Sequence, residues 1–258
     1  MTRVWNSLPG WMERRRTLAG SSIGFVPTMG ALHCGHGSLV ERCRRENEIV
    51  VVSIFVNPSQ FNDPRDLNRY PRTLDRDIAL LDNLGVDDVI VPCASELYPE
   101  GYRFRLECDG RYQVMEGLFR PGFLQGVMTV VLKLLNIVRA DRAYFGEKDY
   151  QQLMVITDMV RDCFIPTEII GCPTVRCESG LAESSRNALL SSESVETAAS
   201  LFRVLTTAVN PAEASAMLEA RGFRVDYVEE HWGRRFAAAF LSDVRLIDNV
   251  PIPPASAR

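Results

Sequence analysis

The run IVVVSIFV, residues 49–56, constrains the fold more than any other stretch of the sequence. All but one of its residues are apolar, whereas a strand with one face in water alternates apolar and polar residues. A continuous run of this kind is typical of a strand buried on both faces, as in the parallel sheet of an α/β protein. It therefore predicts a sheet that is covered on each side.

The segments on either side of this run alternate between strand and helix patterns. We predict further strands at 23–26, 89–91, 142–145 and 168–170, and helices at 38–47, 74–84, 127–138 and 151–163. This alternation indicates an α/β fold with a Rossmann-like parallel sheet. Ligands in such sheets bind at the carboxyl ends of the strands. The candidate binding loops are therefore 27–36, 57–66 and 146–149.

The character of the sequence changes after about Pro173. Segment 174–195 is polar and rich in Ser and Glu, and a helical stretch and a β-like tail at 236–248 follow it. We predict two domains: residues 1–174 form a Rossmann-like catalytic domain, and residues 175–258 form a smaller α+β C-terminal lid domain. The Pro-rich stretch after Val250 is expected to fray.

Composition and charge argue against several classes of protein. The net charge is −4 and no long basic tract is present, which argues against nucleic-acid binding. The short run Arg14–Arg16 is predicted to be a solvated helix face. No apolar stretch is long enough for a membrane span. Seven scattered cysteines indicate free thiols in a reducing cytoplasm, and zinc at Cys172 and Cys177 is disfavoured because a second close pair is lacking.

Two of the three histidines, His33 and His36, lie one helical turn apart, just before the helix predicted at 38–47. A helix N-terminus presents N–H groups and the positive end of a dipole, so it binds phosphate. Imidazoles there can donate hydrogen bonds to phosphate oxygens and to a pyrophosphate leaving group. The motif resembles the signature of the nucleotidyltransferase superfamily. The alternatives are a metal site made of both histidines and a thiol, and a catalytic triad that includes His231.

The chain contains 27 arginines and only two lysines, Lys133 and Lys148. One hypothesis is that lysine is retained where a compact ammonium group is needed and a planar guanidinium does not fit; the alternative is chance. Lys148 lies in the loop Gly146–Asp149, where it can neutralise charge on a reacting phosphate. The alternative for this loop is a surface ion pair.

Two weaker sets of polar residues complete the candidates. Ser184, Ser185 and Arg186 supply two hydroxyls and a guanidinium, which suit phosphate binding, although such loops are more often simple turns. Gln60 and Gln152 each follow a predicted strand. Their amides can bind a small hydroxy acid without adding charge.

Six segments, taken together, resemble the pantothenate synthetase (pantoate–β-alanine ligase) family. They are VPTMGALHCGH (26–36), VVSIFVNPSQF (51–61), RYPRTLDRD (69–77), TVVLKLLN (129–136), FGEKDYQQL (145–153) and GLAESSRN (180–187). They occur in order between about 23 and 190, and both lysines fall inside them. The resemblance implies ATP-dependent condensation of pantoate with β-alanine through a pantoyl-adenylate, with release of AMP and pyrophosphate.

The resemblance also implies roles for individual residues. The residues implied to bind ATP are Met29, Gly30, His33, His36, Gly146, Lys148, Asp149, Val175, Ser184, Ser185 and Arg186. The residues implied to be catalytic are His33, His36, Lys148 and Arg186, with His36 as the acid that assists pyrophosphate departure. The residues implied to bind pantoate are Asn57, Gln60 and Gln152. A homodimer and Mg²⁺ are also implied, and the ligands of the metal are not identified.

Three features depart from the family pattern. Phe123 stands where the family has His, Glu183 stands where it has an apolar residue, and the C-terminal domain is expected to be short for the family. These departures leave two alternatives open. One is a diverged amide ligase that acts on another carboxylate or amine, and the other is a catalytically silent nucleotide-binding relative. Intact His33, His36, Lys148 and Arg186 argue against silence.

Overall fold

The buried run at 49–56 provides one of the two central strands of a six-stranded sheet in a computed structural model that describes residues 1–252. The strands are β1 (Arg3–Trp5), β2 (Ile23–Thr28), β3 (Ile49–Ile54), β4 (Asp88–Ile90), β5 (Arg142–Gly146) and β6 (Glu168–Cys172). Their order in the sheet is β1-β4-β3-β2-β5-β6, and every pair is parallel. The predicted Rossmann-like α/β class is confirmed.

Both faces of the sheet are covered. Val50, Val51 and Val52 are successive residues of β3 and are all 0% exposed. Because successive side chains of a strand point to opposite faces, each face must lie against other elements. On one face, Val52 packs with Leu39 and Leu81 from neighbouring helices. The apolar run, which only Ser53 interrupts, is therefore buried on both faces of the sheet, as its composition predicts.

Eight helices accompany this sheet along the chain. They are α1 (Leu8–Arg16), α2 (Cys34–Glu46), α3 (Pro64–Arg69), α4 (Leu74–Asn83), α5 (Ala94–Leu97), α6 (Glu116–Phe119), α7 (Phe123–Val138) and α8 (Tyr150–Asp162). Short 3-10 helices occupy Pro58–Gln60, Gly110–Tyr112 and Glu147–Asp149. None of the helices in residues 1–252 is both long and apolar enough to cross a membrane.

The described chain divides into two compact units. The first unit contains Met1–Glu147 and Gln151–Cys172, and the second contains Lys148–Tyr150 and the chain from Pro173 on. The second unit has a 3-10 helix at Ser185–Leu189, the helices α9 (Ser192–Thr207) and α10 (Pro211–Glu219), and an antiparallel sheet. The strands of this sheet are β7 (Arg224–His231), β8 (Arg234–Leu241) and β9 (Val244–Pro251). The proline-rich end that is expected to fray lies, from residue 253, outside the described residues.

The N-terminal segment departs from expectation in two ways. Strand β1 was not predicted. The prediction that Arg14–Arg16 form a solvated helix face is wrong for Arg14 and Arg15. Asp88 is 0% exposed and accepts hydrogen bonds from Arg14 Nε at 3.2 Å and from Trp5 Nε1 at 2.9 Å. A buried carboxylate is costly without a cationic partner, so it draws Arg14 inward. Arg15 donates to the carbonyl of Val138 at 2.9 Å, at the end of α7.

Candidate active site

The first unit brings three of the candidate loops to one edge. β2 pairs with β3 on one side and with β5 on the other, and all three are parallel. The chain leaves β2 for β3 and β4, and later returns to the other side of β2 as β5. Their carboxyl ends therefore meet at a topological switch point, where open α/β sheets bind ligands. The loops that follow β2, β3 and β5 start there, at Met29, Phe55 and Glu147.

A buried carboxylate, which the sequence did not single out, shapes the loop after β2. Asp77 of α4 is 1% exposed, and its two oxygens accept hydrogen bonds from the backbone N–H groups of Ala31 (2.9 Å) and Leu32 (2.8 Å). The Thr73 hydroxyl lies 3.2 Å from both oxygens. The only sequence signal was that Asp77 lies in the matched segment 69–77.

Two consecutive residues of this loop have left-handed backbone conformations. Gly30 has φ +78°, and Ala31 has φ +51°. A Cβ at position 30 would lie 3.1 Å from an Asp77 oxygen and 3.1 Å from Ile54, so glycine suits the position on both counts. Alanine rarely adopts such a φ, and the hydrogen bond from its N–H to Asp77 helps to hold it there. The turn sets the approach of the chain to His33.

His33 and His36 form a reciprocal cap on α2. The Nδ1 atom of His33 accepts a hydrogen bond from the N–H of Gly35 at 3.2 Å. The Nδ1 atom of His36 accepts one from the N–H of His33 at 3.4 Å, and the two ring centroids lie 4.1 Å apart. A capping box normally uses Ser or Thr with Glu. Here the pair predicted from the sequence has adjacent, half-buried rings at the start of a helix.

These hydrogen bonds assign the tautomer of both rings. A ring nitrogen that accepts a hydrogen bond carries no proton, so the neutral ring has its proton on Nε2. While the cap is intact, Nε2 is therefore the ring nitrogen of His33 and of His36 that can donate a hydrogen bond. Two such donors beside a helix N-terminus suit an anionic ligand.

The turn after β3 aims the amide of Gln60. Asn57 is 1% exposed, and its Nδ2 donates to Gln60 Oε1 at 2.9 Å and to the carbonyl of Gly126 at 3.1 Å. The Asn57 oxygen accepts from the hydroxyls of Tyr98 (2.8 Å) and Ser59 (2.9 Å). Because the Gln60 oxygen faces Asn57, the Gln60 NH₂ group is the end that can donate to a ligand. Asn57 therefore orients the side-chain amide of Gln60.

Helix α7 lies directly against this turn. A Cβ on Gly126 would come within 2.4 Å of the Ser59 carbonyl oxygen and 2.8 Å of Gln60 Cα, distances that real side chains do not show. The absence of a side chain at Gly126 is what allows the helix to approach the backbone of the turn so closely. The turn is therefore supported by the helix and by Asn57 at the same time.

Phe123, the departure from the family pattern, begins α7 beside the same turn. It is 7% exposed, and the guanidinium of Arg120 lies over its ring, with Cζ 3.7 Å from the ring centroid. Arg120 also donates to the Gln60 carbonyl at 3.3 Å and to Glu116 at 3.2 Å. The aromatic ring thus packs against a cation that contacts the Gln60 backbone.

The remaining candidates of the first unit are Gly146 and Gln152. Gly146 ends β5, and a Cβ there would have no atom within 4 Å, so open space faces it. Gln152 is half-buried in the first turn of α8. Its neighbour Gln151 has a structural role, because it bonds the backbone of Tyr112, Val114 and Glu116.

The candidates of the second unit fall in two segments. Lys148 and Asp149 are half-buried, and the Lys148 carbonyl accepts a hydrogen bond from Asn249 Nδ2 at 2.9 Å. The carbonyl of Val175 accepts a hydrogen bond from the N–H of Glu183 at 2.9 Å. Val175 therefore lies beside the residue that precedes Ser184. The acid at Glu183 therefore neighbours this loop through its backbone.

The Ser184–Arg186 loop is a capped turn. The Ser184 oxygen accepts from the N–H of Arg186 at 3.3 Å and begins the 3-10 helix. Nearby, Arg176 makes a bidentate ion pair with Asp248, at 2.6 and 2.8 Å. Asp248 is 4% exposed. This buried pair ties the segment before the loop to strand β9.

The two alternatives for the histidines find no support. Within residues 1–252, no group of three His, Cys, Asp or Glu side chains is arranged to hold a metal ion. His231 pairs with Glu229 on its own strand, with 2.8 Å between Nε2 and the carboxylate. All seven cysteines are free thiols.

The geometry of the first unit, a Rossmann-like sheet with a capped histidine pair at its switch point, defines an α/β protein of the nucleotide-binding type. Residues 2–251 match the family model described as pantoate-beta-alanine ligase. The chain belongs to this family.

Individual relatives agree over nearly the whole chain. A pantothenate synthetase of Bdellovibrio bacteriovorus is 48% identical over 98% of this chain and 100% of that protein. A pantoate-beta-alanine ligase of Francisella tularensis, crystallised with beta-gamma ATP and beta-alanine, has a TM-score of 0.93 and 42% identity over 97% of this chain and 98% of its own. The pantothenate synthetase of Thermus thermophilus has a TM-score of 0.89 and 44% identity, over 98% of this chain and 100% of its own. The chain covers 98% to 100% of the length of these three relatives, so as a whole it is not short compared with them.

Proposed function

We propose that the chain is an ATP-dependent ligase that joins pantoate to β-alanine and releases AMP and pyrophosphate. Membership of the pantoate-beta-alanine ligase family supports this reaction, as does the Francisella relative that was crystallised with beta-gamma ATP and beta-alanine. The observation that carries the proposal is the His33–His36 cap on α2. It fixes two Nε2–H donors at a helix N-terminus.

The proposed reaction has two steps. A carboxylate oxygen of pantoate attacks the α-phosphorus of ATP, and the bond from this phosphorus to the bridging oxygen of pyrophosphate breaks. The amine of β-alanine then attacks the acyl carbon, loses a proton, and displaces AMP. Negative charge grows on the pyrophosphate in the first step. Hydrogen bonds from His33 and His36 stabilise that charge, with the Nε2–H of His36 donating to the departing pyrophosphate, while Lys148 and Arg186 neutralise charge on the phosphates.

Pantoate would be held by amides instead of charges. Gln60 donates from its NH₂ group, since its oxygen is engaged by Asn57 at 2.9 Å. Gln152 supplies a second amide, and Asn57 holds the turn. Neutral donors are suited to this task because they bind the carboxylate without forming an ion pair that would lower its nucleophilicity.

The residues proposed to bind ATP are those that the resemblance implies, and the division into a catalytic domain (1–174) and a lid domain (175–258) is proposed with them. Met29, Gly30, His33, His36 and Gly146 lie in the first unit. Lys148, Asp149, Val175, Ser184, Ser185 and Arg186 lie in the second. Val175 is assigned to the adenine, and the serines and Arg186 to the phosphates.

We also propose Mg²⁺ as the metal of the reaction, a homodimer, and the cytoplasm as the compartment. The described residues contain no preformed cluster of metal ligands, and the nearby Asp77 uses both oxygens on backbone N–H groups. Mg²⁺ commonly binds through substrate phosphates and waters, so the protein residues fit a metal that arrives with ATP. Seven free thiols agree with a reducing compartment.

A single-turnover experiment tests the reaction. Enzyme in excess is mixed with ATP and pantoate labelled with ¹⁸O in its carboxylate, without β-alanine. Pyrophosphate should form at once, and later addition of β-alanine should release AMP that contains one ¹⁸O atom. Pyrophosphate that forms only when β-alanine is present would contradict the adenylate. No pyrophosphate under any condition would indicate a silent relative.

Phe123 favours one second candidate, a ligase for a more apolar acid. The buried phenyl ring, which is covered by Arg120, has no hydrogen-bond donor of its own at the position where the family resemblance implies His. The same assay with a panel of 2- and 4-hydroxy acids decides between the two. A clear kcat/KM preference for another acid would replace pantoate and leave the two-step mechanism in place.

A further inference from the structure

Lys133, the other of the two lysines, lies among polar and aromatic groups that connect to the Asn57–Gln60 turn. It projects from α7, and its ammonium donates to the backbone carbonyl of Leu97. The ammonium nitrogen is 3.6 Å from the ring centroid of Tyr102 and 4.6 Å from that of Tyr98. Burial lowers the pKa of Lys133 from its usual value. No carboxylate partner is recorded for it among the described residues, so its contacts are this carbonyl and the two rings.

These contacts continue to the side-chain amide of Gln60, which is assigned to pantoate. The Tyr98 ring contacts the ammonium of Lys133, and the Tyr98 hydroxyl donates to Asn57 Oδ1 at 2.8 Å and lies 3.1 Å from Ser59 Oγ. Asn57 in turn donates to Gln60 Oε1 at 2.9 Å. Each link joins directly to the next, from Lys133 to Gln60. All of these residues belong to the first unit.

The contacts of the ammonium suit lysine better than arginine, although the chain has 27 arginines. One compact ammonium contacts a carbonyl oxygen and the faces of two rings that are themselves edge-to-face, with centroids 5.5 Å apart. A guanidinium is planar and wider, and stacks parallel to one ring instead of donating between two. An arginine here would therefore displace Tyr98 from Asn57.

We propose that Lys133 is a positioning residue for pantoate binding, acting through Tyr98 and Asn57 on the side-chain amide of Gln60. The proposal rests on the proposed function for the role of Gln60. Lys133 touches no reacting atom in it. Loss of the ammonium loosens Tyr98, which frees the Asn57 amide to turn and lets the Gln60 NH₂ group leave its aligned orientation.

The expected result is a selective loss. Lys133→Met should raise the KM for pantoate by about three- to thirtyfold, the range that corresponds to a partly buried cation–π contact. The KM for ATP should change less than about twofold. Lys133→Arg should not rescue the pantoate KM. Tyr98→Phe, which removes only the hydroxyl, should reproduce the effect and serves as the second variant if Lys133→Met folds poorly.

A double-mutant cycle tests the route. Adding Lys133→Met to Gln60→Ala should cause no further rise in the pantoate KM. Asn136→Ala is the matched control, because Asn136 is exposed on the same helix and its side chain donates to the carbonyl of Leu132. An equal fall in kcat for all substrates with unchanged KM values would indicate a structural role and overturn the proposal. Wild-type pantoate KM in Lys133→Arg would overturn it as well.

A measurement without turnover separates this proposal from the proposed function. The side-chain amide resonances of Gln60, assigned with Gln60→Ala, should shift or broaden in Lys133→Met and stay in place in Asn136→Ala. If the unmodified chain releases no pyrophosphate with pantoate, the proposed function fails while this spectrum still decides the positioning. Unchanged Gln60 resonances in Lys133→Met would refute the positioning by themselves.

Discussion

Replacement of Asp77 by Asn is the most direct test of how the fold prepares the histidine pair. The carboxylate accepts from the N–H groups of Ala31 and Leu32, one with each oxygen. An amide keeps one oxygen and turns an NH₂ group toward the other N–H. The loss is one hydrogen bond to a charged group plus a donor–donor contact, about 2–3 kcal/mol of unfolding free energy. This corresponds to a fall of roughly 4–12 °C in melting temperature for a chain of this length.

The effect on chemistry should exceed the loss of folded protein. The loop that Asp77 holds leads directly into His33, so the Nε2–H donors should be displaced and pyrophosphate release should fall at least about tenfold, since small misplacements of catalytic groups are costly. The assays are calorimetry and single-turnover pyrophosphate release with ATP and pantoate. Asp75→Asn is the matched control, because Asp75 is exposed in the same first turn of α4. Equal behaviour of the two variants would refute the reasoning.

Three other predictions concern single side chains. Lys148→Ala should slow pyrophosphate release by at least about a hundredfold, a typical loss for one transition-state contact, and Lys148→Arg should recover little; full activity of the arginine variant would show that the lysine is there by chance. Phe123→His should leave kcat/KM for pantoate unchanged or higher, since a neutral imidazole can also stack under Arg120, and a loss for pantoate would contradict this. Burial raises the pKa of Cys43 to about 12, so this thiol stays protonated at pH 8, and a thiol reagent should modify the exposed Cys34, Cys93 and Cys163 before it. Rapid labelling of Cys43 in folded protein, read by mass spectrometry, would argue against that burial.

The parts of the fold that the sequence predicts are those with a local cause. Strand β3 follows from its own apolar run, and α7 follows from a long apolar stretch, although it begins at Phe123 and not at the predicted residue 127. Helix α2 begins at Cys34, four residues before the predicted start. The prediction missed the first turn because Gly35 and Gly37 provide no apolar spacing. The cap from His33 and His36 defines the start instead.

The parts that were missed depend on residues distant in the sequence. Strand β1 is three residues long and is anchored by Asp88, whose partners Trp5 and Arg14 lie more than 70 residues away. In the sequence, Asp77 is simply one acid in the charged run LDRD. Its role is visible only in the structure, where the N–H groups of residues 31 and 32 donate to it. No periodicity contains that information.

The residues of the candidate active site divide in the same way into predicted and missed. Motif positions such as His33 and Gln60 were identified from the sequence, and their roles stay predictions. The residues that hold them, Tyr98 and Arg120 among others, were not identified. A supporting side chain has no chemistry of its own to attract notice, since its effect comes from which atoms it orients.

The reciprocal histidine cap has a consequence for how substitutions at these positions are tolerated. Ser, Thr or Asp at position 33 caps a helix at least as well as His does, so stability alone places little demand on that residue. The imidazole differs from these caps only in its second ring nitrogen, which the helix does not use. A library of variants sorted by folding yield should therefore accept replacements at His33 freely. The same library sorted by growth without external pantothenate should reject nearly all of them, and the gap between the two selections measures what the protein retains for chemistry and not for structure.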